Sequence, residues 1–157
     1  MTLIDLVRLF AEPLSTAVLL TDTDLERPGP TILYADPAFE HMSGYRVEEV
    51  YGNLPRMLQG AATNRQLTRL VARHLRAKHR FYGVLENYRK SGEGYLCEID
   101  VRPILGTNEE PIGFLAFERE VVRQIGRPVQ GASGRYRPIA VESFVSGAFW
   151  AAPTPFS

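Results

Sequence analysis

One cysteine, Cys97, occurs in 157 residues. A lone thiol excludes an internal disulfide framework and any cysteine-rich metal site, and it fits a reducing, cytoplasmic setting. Charge of one sign is also missing. The 18 Lys and Arg balance 18 Asp and Glu, so no global field draws nucleic acid or an anionic membrane. No apolar run reaches the roughly 18–20 residues that a membrane helix needs. Met1-Thr2-Leu3-Ile4-Asp5 lacks the basic start of a secretory signal. His41, His74 and His79 are scattered without metal-ligand spacing. There is no Gly-x-Ser-x-Gly, no His-Glu-x-x-His, no Walker-type glycine loop, no kinase or cyclase motif and no helix-turn-helix segment. These absences set the expectation of a non-catalytic protein that neither reads nucleic acid nor spans a membrane.

What is present is a short α+β order. Leu3, Leu6, Val7 and Phe10 recur at helical spacing, with Thr2 and Asp5 placed for a capping box and Pro13 as a stop. Residues 16–21 and 31–34 read as strands around a polar Pro/Gly loop. Asp36-Pro37 opens a short helix that Gly44 closes. From Asn64, the stripe Leu67, Leu70, Val71, His74 and Leu75 marks a longer helix. Residues 83–90, 94–105 and 111–121 are strand-like runs separated by turn-forming clusters. After about residue 122 the periodicity fades into Gly, Pro, Ser and Arg.

Strand alternation sorts the faces. Asn87 shares a face with Leu85 and Gly83, Cys97 with Tyr95, Ile99 and Val101, and Glu118 with Ile112, Phe114 and Ala116. With the apolar faces inward, Asn87, Cys97 and Glu118 all project toward the core. A buried amide or carboxylate needs a polar partner, at a cost of about a few kcal/mol without one. Residues Tyr82, Val84, Leu96, Leu115 and Phe117 fall on the opposite face. That is too much apolar surface to leave wet, and the helix from Leu3 to Phe10 offers a matching stripe, within one chain or across a homodimer. The row Arg65, Arg69, Arg73 and Arg76 reads first as the solvated back of its helix.

The segment Gly52-Asn53-Leu54-Pro55-Arg56-Met57-Leu58-Gln59-Gly60 resembles the signature of the light-oxygen-voltage (LOV) branch of the PAS superfamily, Gly-x-Asn-Cys-Arg-Phe-Leu-Gln-Gly. Three further segments carry the resemblance: Leu33-Tyr34-Ala35-Asp36-Pro37-Ala38-Phe39, Ser43-Gly44-Tyr45, and Asn87-Tyr88-Arg89-Lys90-Ser91-Gly92. They are similar to the family's Val-Tyr-Ala-Asn-Pro-Ala-Phe, Thr-Gly-Tyr and Asn-Tyr-Arg-Lys-Asp-Gly. The resemblance implies a five-stranded antiparallel sheet with helices over one face. Its domain would occupy residues 15–121, between a flanking helix at 1–14 and an irregular tail at 122–157.

The same resemblance implies a flavin pocket, FMN or FAD, and lists its contacts. Asn87 would meet the pyrimidine edge of the ring, Gln59 the ribityl chain and Arg56 the phosphate. Departures lie at Cys97, where the family has a second asparagine, and at Glu118, where it has a glutamine. Pro55 replaces the cysteine that forms the photochemical adduct. The family's second phosphate arginine would fall near Ala72, with Arg69 and Arg73 as the nearest substitutes. The segment Phe81-Tyr82-Gly83-Val84 is similar to the Trp-Ser-Gly-Val of PAS flavoproteins that sense redox state. The balance of kept and altered contacts favours a cofactor-free, self-filled core, with a flavin as the alternative. The expected function is a signalling module that controls a partner protein in trans through protein–protein contact. The alternative is a redox or ligand sensor without adduct chemistry. In the tail, Arg135-Tyr136-Arg137-Pro138 and the run from Phe144 to Trp150 read either as segments docked on the domain or as partner-binding elements.

Overall fold

The computed structural model describes residues 1–124 and 136–139. Helix α1, Leu3–Ala11, starts on a complete capping box: the Thr2 hydroxyl accepts from the Asp5 N–H, and the Asp5 carboxylate accepts from the Thr2 N–H at 2.9 Å. Strands β1, Ala17–Thr21, and β2, Ile32–Ala35, follow. Helix α2, Pro37–Ser43, begins on Asp36 as N-cap and ends at Gly44, whose φ of 76° is the left-handed value that glycine supplies. Next come α3, Val47–Val50, and a 3-10 turn, Pro55–Leu58. Neither shows in the sequence pattern, because four-residue helices carry too few positions to show a period. Helix α4, Arg65–Arg76, begins where the stripe placed it and is capped by Asn64, whose Oδ1 accepts from the Gln66 and Leu67 N–H groups. Strands β3, Phe81–Tyr88, β4, Gly94–Leu105, and β5, Pro111–Arg123, complete the main sheet.

The antiparallel sheet runs in the order β2-β1-β5-β4-β3. Strand β3 starts earlier than the sequence pattern placed it, because Phe81 still pairs with Val101 on the twelve-residue β4. It stops at Tyr88 because the Lys90 N–H turns away to the Ser43 carbonyl, at 3.0 Å. The expected five strands make up this main order, and a short sixth strand, β6, Tyr136–Pro138, lies off it. Strand β1 ends its pairing at Ala17 opposite Glu118, which would leave the end of β5 as an open edge. Strand β6 pairs there with Val121–Arg123. The run from Phe144 to Trp150 lies outside the described residues.

Two apolar clusters sit on opposite faces of the sheet. Leu85, Tyr95, Cys97, Ile99, Val101, Phe114 and Ala116 face inward with Phe39, Leu58 and Leu75, as the alternation required. On the other face, Val7 and Ala11 of α1, with Leu14, pack on Val18, Leu20, Tyr34, Leu115 and Phe117. The covering helix therefore comes from the same chain. It covers only part of that face. Over β3 and β4 the cover is ionic: Asp100, fully buried, accepts from Arg80 at 2.7 Å and from Arg102 at 3.0 Å, while Glu98 pairs with Arg119 at 3.1 Å and with the Tyr82 hydroxyl. Tyr82 stays 45% exposed, so the single apolar patch expected across Tyr82, Val84, Leu96, Leu115 and Phe117 is divided between a helix and a layer of guanidiniums.

Candidate functional site: a cavity between the sheet and helix α4

The 52–60 segment is held from two sides. The Gly52 N–H donates to the Ile32 carbonyl at 2.9 Å, and the Ile32 N–H returns a bond to the Asn53 carbonyl at 2.8 Å. Asn53 Nδ2 donates to the Glu49 carbonyl at 2.7 Å. At the other end, a Cβ on Gly60 would come within 2.5 Å of the Tyr88 ring, so only glycine lets this backbone approach β3 so closely. The Tyr88 hydroxyl accepts from the Ala62 N–H at 2.9 Å, and Thr63 Oγ1 donates to the Glu86 carbonyl at 2.7 Å. Pro55 takes the first position of the 3-10 turn, where a missing N–H costs nothing. Proline fits this turn without distorting it.

Between this segment, α4, the 25–30 loop and the inner face of the sheet lies a cavity of about 620 Å³, within the usual size of small-molecule sites, about 300–1,000 Å³. The expectation of a self-filled core is corrected here. Ala116, Ala72, Val71 and Val101 are small wall residues, and side chains of that size leave the space between sheet and helix open. Leu19, Leu85, Ile99 and Phe114 make much of the remaining wall apolar. Asn87 and Glu118, 4% and 6% exposed, lie at its inner end. Pro55, Arg56 and Gln59 also line it. Four of the five residues marked out by sequence therefore meet at one cavity.

Cys97 is the exception. It is fully buried and absent from the lining, with its Sγ 3.7 Å from Glu118 Oε2. The Asn87 amide lies beside the Cys97 thiol and the Tyr95 hydroxyl. Burial, then the neighbouring Glu118, pushes the thiol well above its usual range, so it stays protonated and inert. Cys97 supports Glu118 from behind. Burial likewise lifts the Glu118 carboxyl to about 7, with the Asp36 carboxylate adding to the rise. A neutral carboxyl offers one donor and one acceptor, the same pair as the glutamine of the resembled pattern. Asp36, off the cavity wall but near enough to act on Glu118, is a second such group that sequence reading took only as a helix start. Its Oδ1 accepts the Val18 and Phe39 N–H groups, both at 2.9 Å, its Oδ2 has no partner, and burial raises it to about 7.

The arginine row is exposed, as expected of a solvated helix back, but three of its members also reach the cavity. Arg65, Arg69 and Arg76 border the cavity, joined by Arg56 and by Arg27 from the loop; Arg73 does not. Arg65 Nη1 donates to Gln59 Oε1 at 2.7 Å and so orients that amide. Exposed guanidiniums at the mouth and buried hydrogen-bonding groups at the far end match the chemistry of a ring-and-phosphate ligand. By its donor set the cavity fits a flavin nucleotide. His74, by contrast, is structural: its Nδ1 lies 2.9 Å from the Leu70 carbonyl and its ring packs edge-on against Phe81. No group of three or more His, Cys, Asp or Glu suited to a metal occurs among the described residues, and no described helix is long and apolar enough to cross a membrane.

An antiparallel sheet and helices wrapped around a ligand-sized cavity define an α+β ligand-pocket module. The chain belongs to the PAS domain family, whose profile matches residues 15–123. Among curated proteins it is 29% identical over 125 residues to a blue-light-activated histidine kinase of Brucella anthropi, an alignment covering 76% of this chain and 26% of the kinase. It is 32% identical over 110 residues to a nitrogen fixation regulatory protein of Klebsiella oxytoca, covering 70% of this chain and 21% of the regulator. The chain thus spans only about a fifth to a quarter of these two relatives. Among solved structures, the LOV domain of the Erythrobacter litoralis EL346 blue-light activated histidine kinase superposes with a TM-score of 0.62 at 25% identity, covering 67% of this chain and 94% of that one.

Proposed function

We propose that this chain is the sensory PAS module of a bacterial signalling protein or complex, non-catalytic in itself. Its cavity takes a flavin nucleotide, FMN or FAD, whose redox or binding state is passed to a partner protein in the cytoplasm by protein–protein contact. The observation that carries this reading is the cavity of about 620 Å³ with Asn87 and Glu118 at its inner end and arginines at its mouth. The similarity to a blue-light-activated kinase and to a nitrogen fixation regulator supports a regulatory role. Pro55 supplies no nucleophile, so light-driven adduct formation is not part of the proposal.

A route for output follows from β5. Glu118 points into the cavity, and its neighbour Phe117 points to the other face, under α1. A change in the hydrogen bonding of Glu118 therefore acts on the strand that supports α1. Helix α1 exposes Leu6 and Leu9 at 49% and 69%, an apolar edge suited to a second copy or a signalling partner.

Purified protein, as isolated and after incubation with FMN, FAD or riboflavin, tests the reading by the flavin's own visible absorption and by fluorescence quenching. Saturable binding that Asn87→Ala weakens at least about tenfold, as expected for loss of a buried hydrogen-bonding partner, supports it. Absence of binding to all three leaves the cofactor-free adaptor as the function of the fold.

A further inference from the structure

Five arginines line the cavity: Arg27, Arg56, Arg65, Arg69 and Arg76. Among the described residues none of them pairs with a carboxylate. Arg8, Arg46, Arg80, Arg89, Arg102 and Arg119 do; Arg73, Arg123 and Arg137 lack such a pair as well, and none of these three lines the cavity. Three of the cavity arginines bond neutral groups instead. Arg56 donates to the Pro28 carbonyl at 3.3 Å, Arg65 to Gln59, and Arg76 to the Leu25 carbonyl at 3.2 Å. Among the described residues, the only acidic side chain in the wall is Glu118, which is buried. Uncompensated guanidiniums gathered at one opening repel one another and attract an anion that can bond several of them.

Their arrangement is elongated. Arg65, Arg69, Ala72 and Arg76 recur at intervals of four, three and four residues on α4, one stripe of the helix. Eleven residues separate Arg65 from Arg76, about 16 Å along the axis. The contacts of the opposite bank run in parallel: Leu25 is tied to Arg76, Pro28 to Arg56, and Gln59 to Arg65. The result is a cationic track leading outward, with Ala72 as a low point between Arg69 and Arg76. One phosphate group, whose oxygens lie within about 3 Å of each other, engages one end of such a track. The remainder suits a second linked phosphate and an aromatic base, on which an arginine plane can stack.

We infer that the cavity selects a dinucleotide over a mononucleotide. Given the flavin reading above, on which this rests, that means FAD over FMN, with the diphosphate on Arg56, Arg65 and Arg69 and the adenosine half toward Arg27 and Arg76. Titration of ligand-free protein with riboflavin, FMN and FAD, followed by flavin fluorescence, measures the preference. FAD should bind at least about tenfold more tightly than FMN, the effect of one or two added charge-assisted bonds. The double variant Arg27→Gln/Arg76→Gln should narrow the FAD-to-FMN ratio to about one. Its melting temperature should fall only slightly, since both side chains are exposed and a single bond, from Arg76 to the Leu25 carbonyl, is lost. Equal affinities in the wild type, or a variant that weakens both flavins in proportion, overturns the inference while leaving the flavin reading intact. Failure of any flavin to bind overturns both.

Discussion

Raising the pH from about 4 to about 8 should weaken this fold, and two carboxyls set the size of the effect. Asp36 and Glu118 rise by burial from ordinary values of 3.8 and 4.5 to about 7. Within that window the folded chain keeps their protons and the unfolded chain has released them. Stability therefore falls as pH rises, levels off above about 7, and is fully present below about 4. At about 1.4 kcal/mol per unit of pH, Asp36 contributes at most about 4 kcal/mol to the loss and Glu118 at most about 3. A loss of even half that size is large against the 5–15 kcal/mol, roughly, of a whole domain. Asp5 and Glu49, which neighbouring hydrogen bonds hold below their usual range, act in the opposite sense. Urea denaturation of ligand-free protein across pH 4.5–8 (about, chosen to bracket the window) should show the fall in the wild type. Asp36→Asn should remove part of the slope, since the amide keeps the acceptor for Val18 and Phe39 without a titrating proton. Glu118→Gln should remove another part. A wild-type stability that rises between pH 5 and 7, or a double variant with the wild-type slope, refutes the placement of two neutral carboxyls in this core.

Removing residues 1–12 should expose Val18, Leu20, Leu115 and Phe117 and cause aggregation or a new oligomeric state in light-scattering sizing; an unchanged mass and melting point would contradict the cover. Gly60→Ala should lower stability by about 1–3 kcal/mol, the range for overpacking, because its Cβ would meet Tyr88 at 2.5 Å; a wild-type melting temperature would show that Tyr88 moves aside freely. In flavin-loaded protein, Pro55→Cys should gain a light-driven, thermally reversible bleach that the wild type lacks, as a thiol enters the wall at Pro55. Bleaching of the wild type would falsify the view that Cys97, buried off the cavity wall, is out of reach.

Period and spacing made the elements legible where each spans several repeats. The stripes of α1 and α4 mark those helices, and the alternation of β3 and β5 alone puts Asn87 and Glu118 on inward faces. Two things were out of reach of pattern. Whether an inward face closes on itself depends on summed side-chain volume across β1, β5, α4 and the 25–30 loop, and the alternation of a single strand carries no such sum. Arg27 and Arg76 likewise share no motif. They meet because the loop folds back on α4 through the Leu25 carbonyl, a contact over 51 residues. The ionic cover over β3 and β4 was half visible: Glu98, Asp100 and Arg102 alternate on one face, but only the fold brings Arg80 and Arg119 to them.

The substitutions that separate this chain from the pattern it resembles act together. Pro55 takes away a nucleophile, and Glu118 and Asp36 put acids where that pattern has amides. A glutamine at 118 would present one donor and one acceptor at any pH. A carboxyl does so only while it holds its proton, and offers acceptors alone once ionised. Glu118 faces the cavity with its carboxyl near the point of balance, against Cys97 and within the field of Asp36. A ligand that needs a donor from Glu118 holds the proton on, and one that needs two acceptors drives it off. By linkage the same preference makes ligand affinity depend on pH. In the function proposed above, the inner end of this cavity would respond to protons and to ligand charge through a single group, and that group stands on the strand whose other face carries α1.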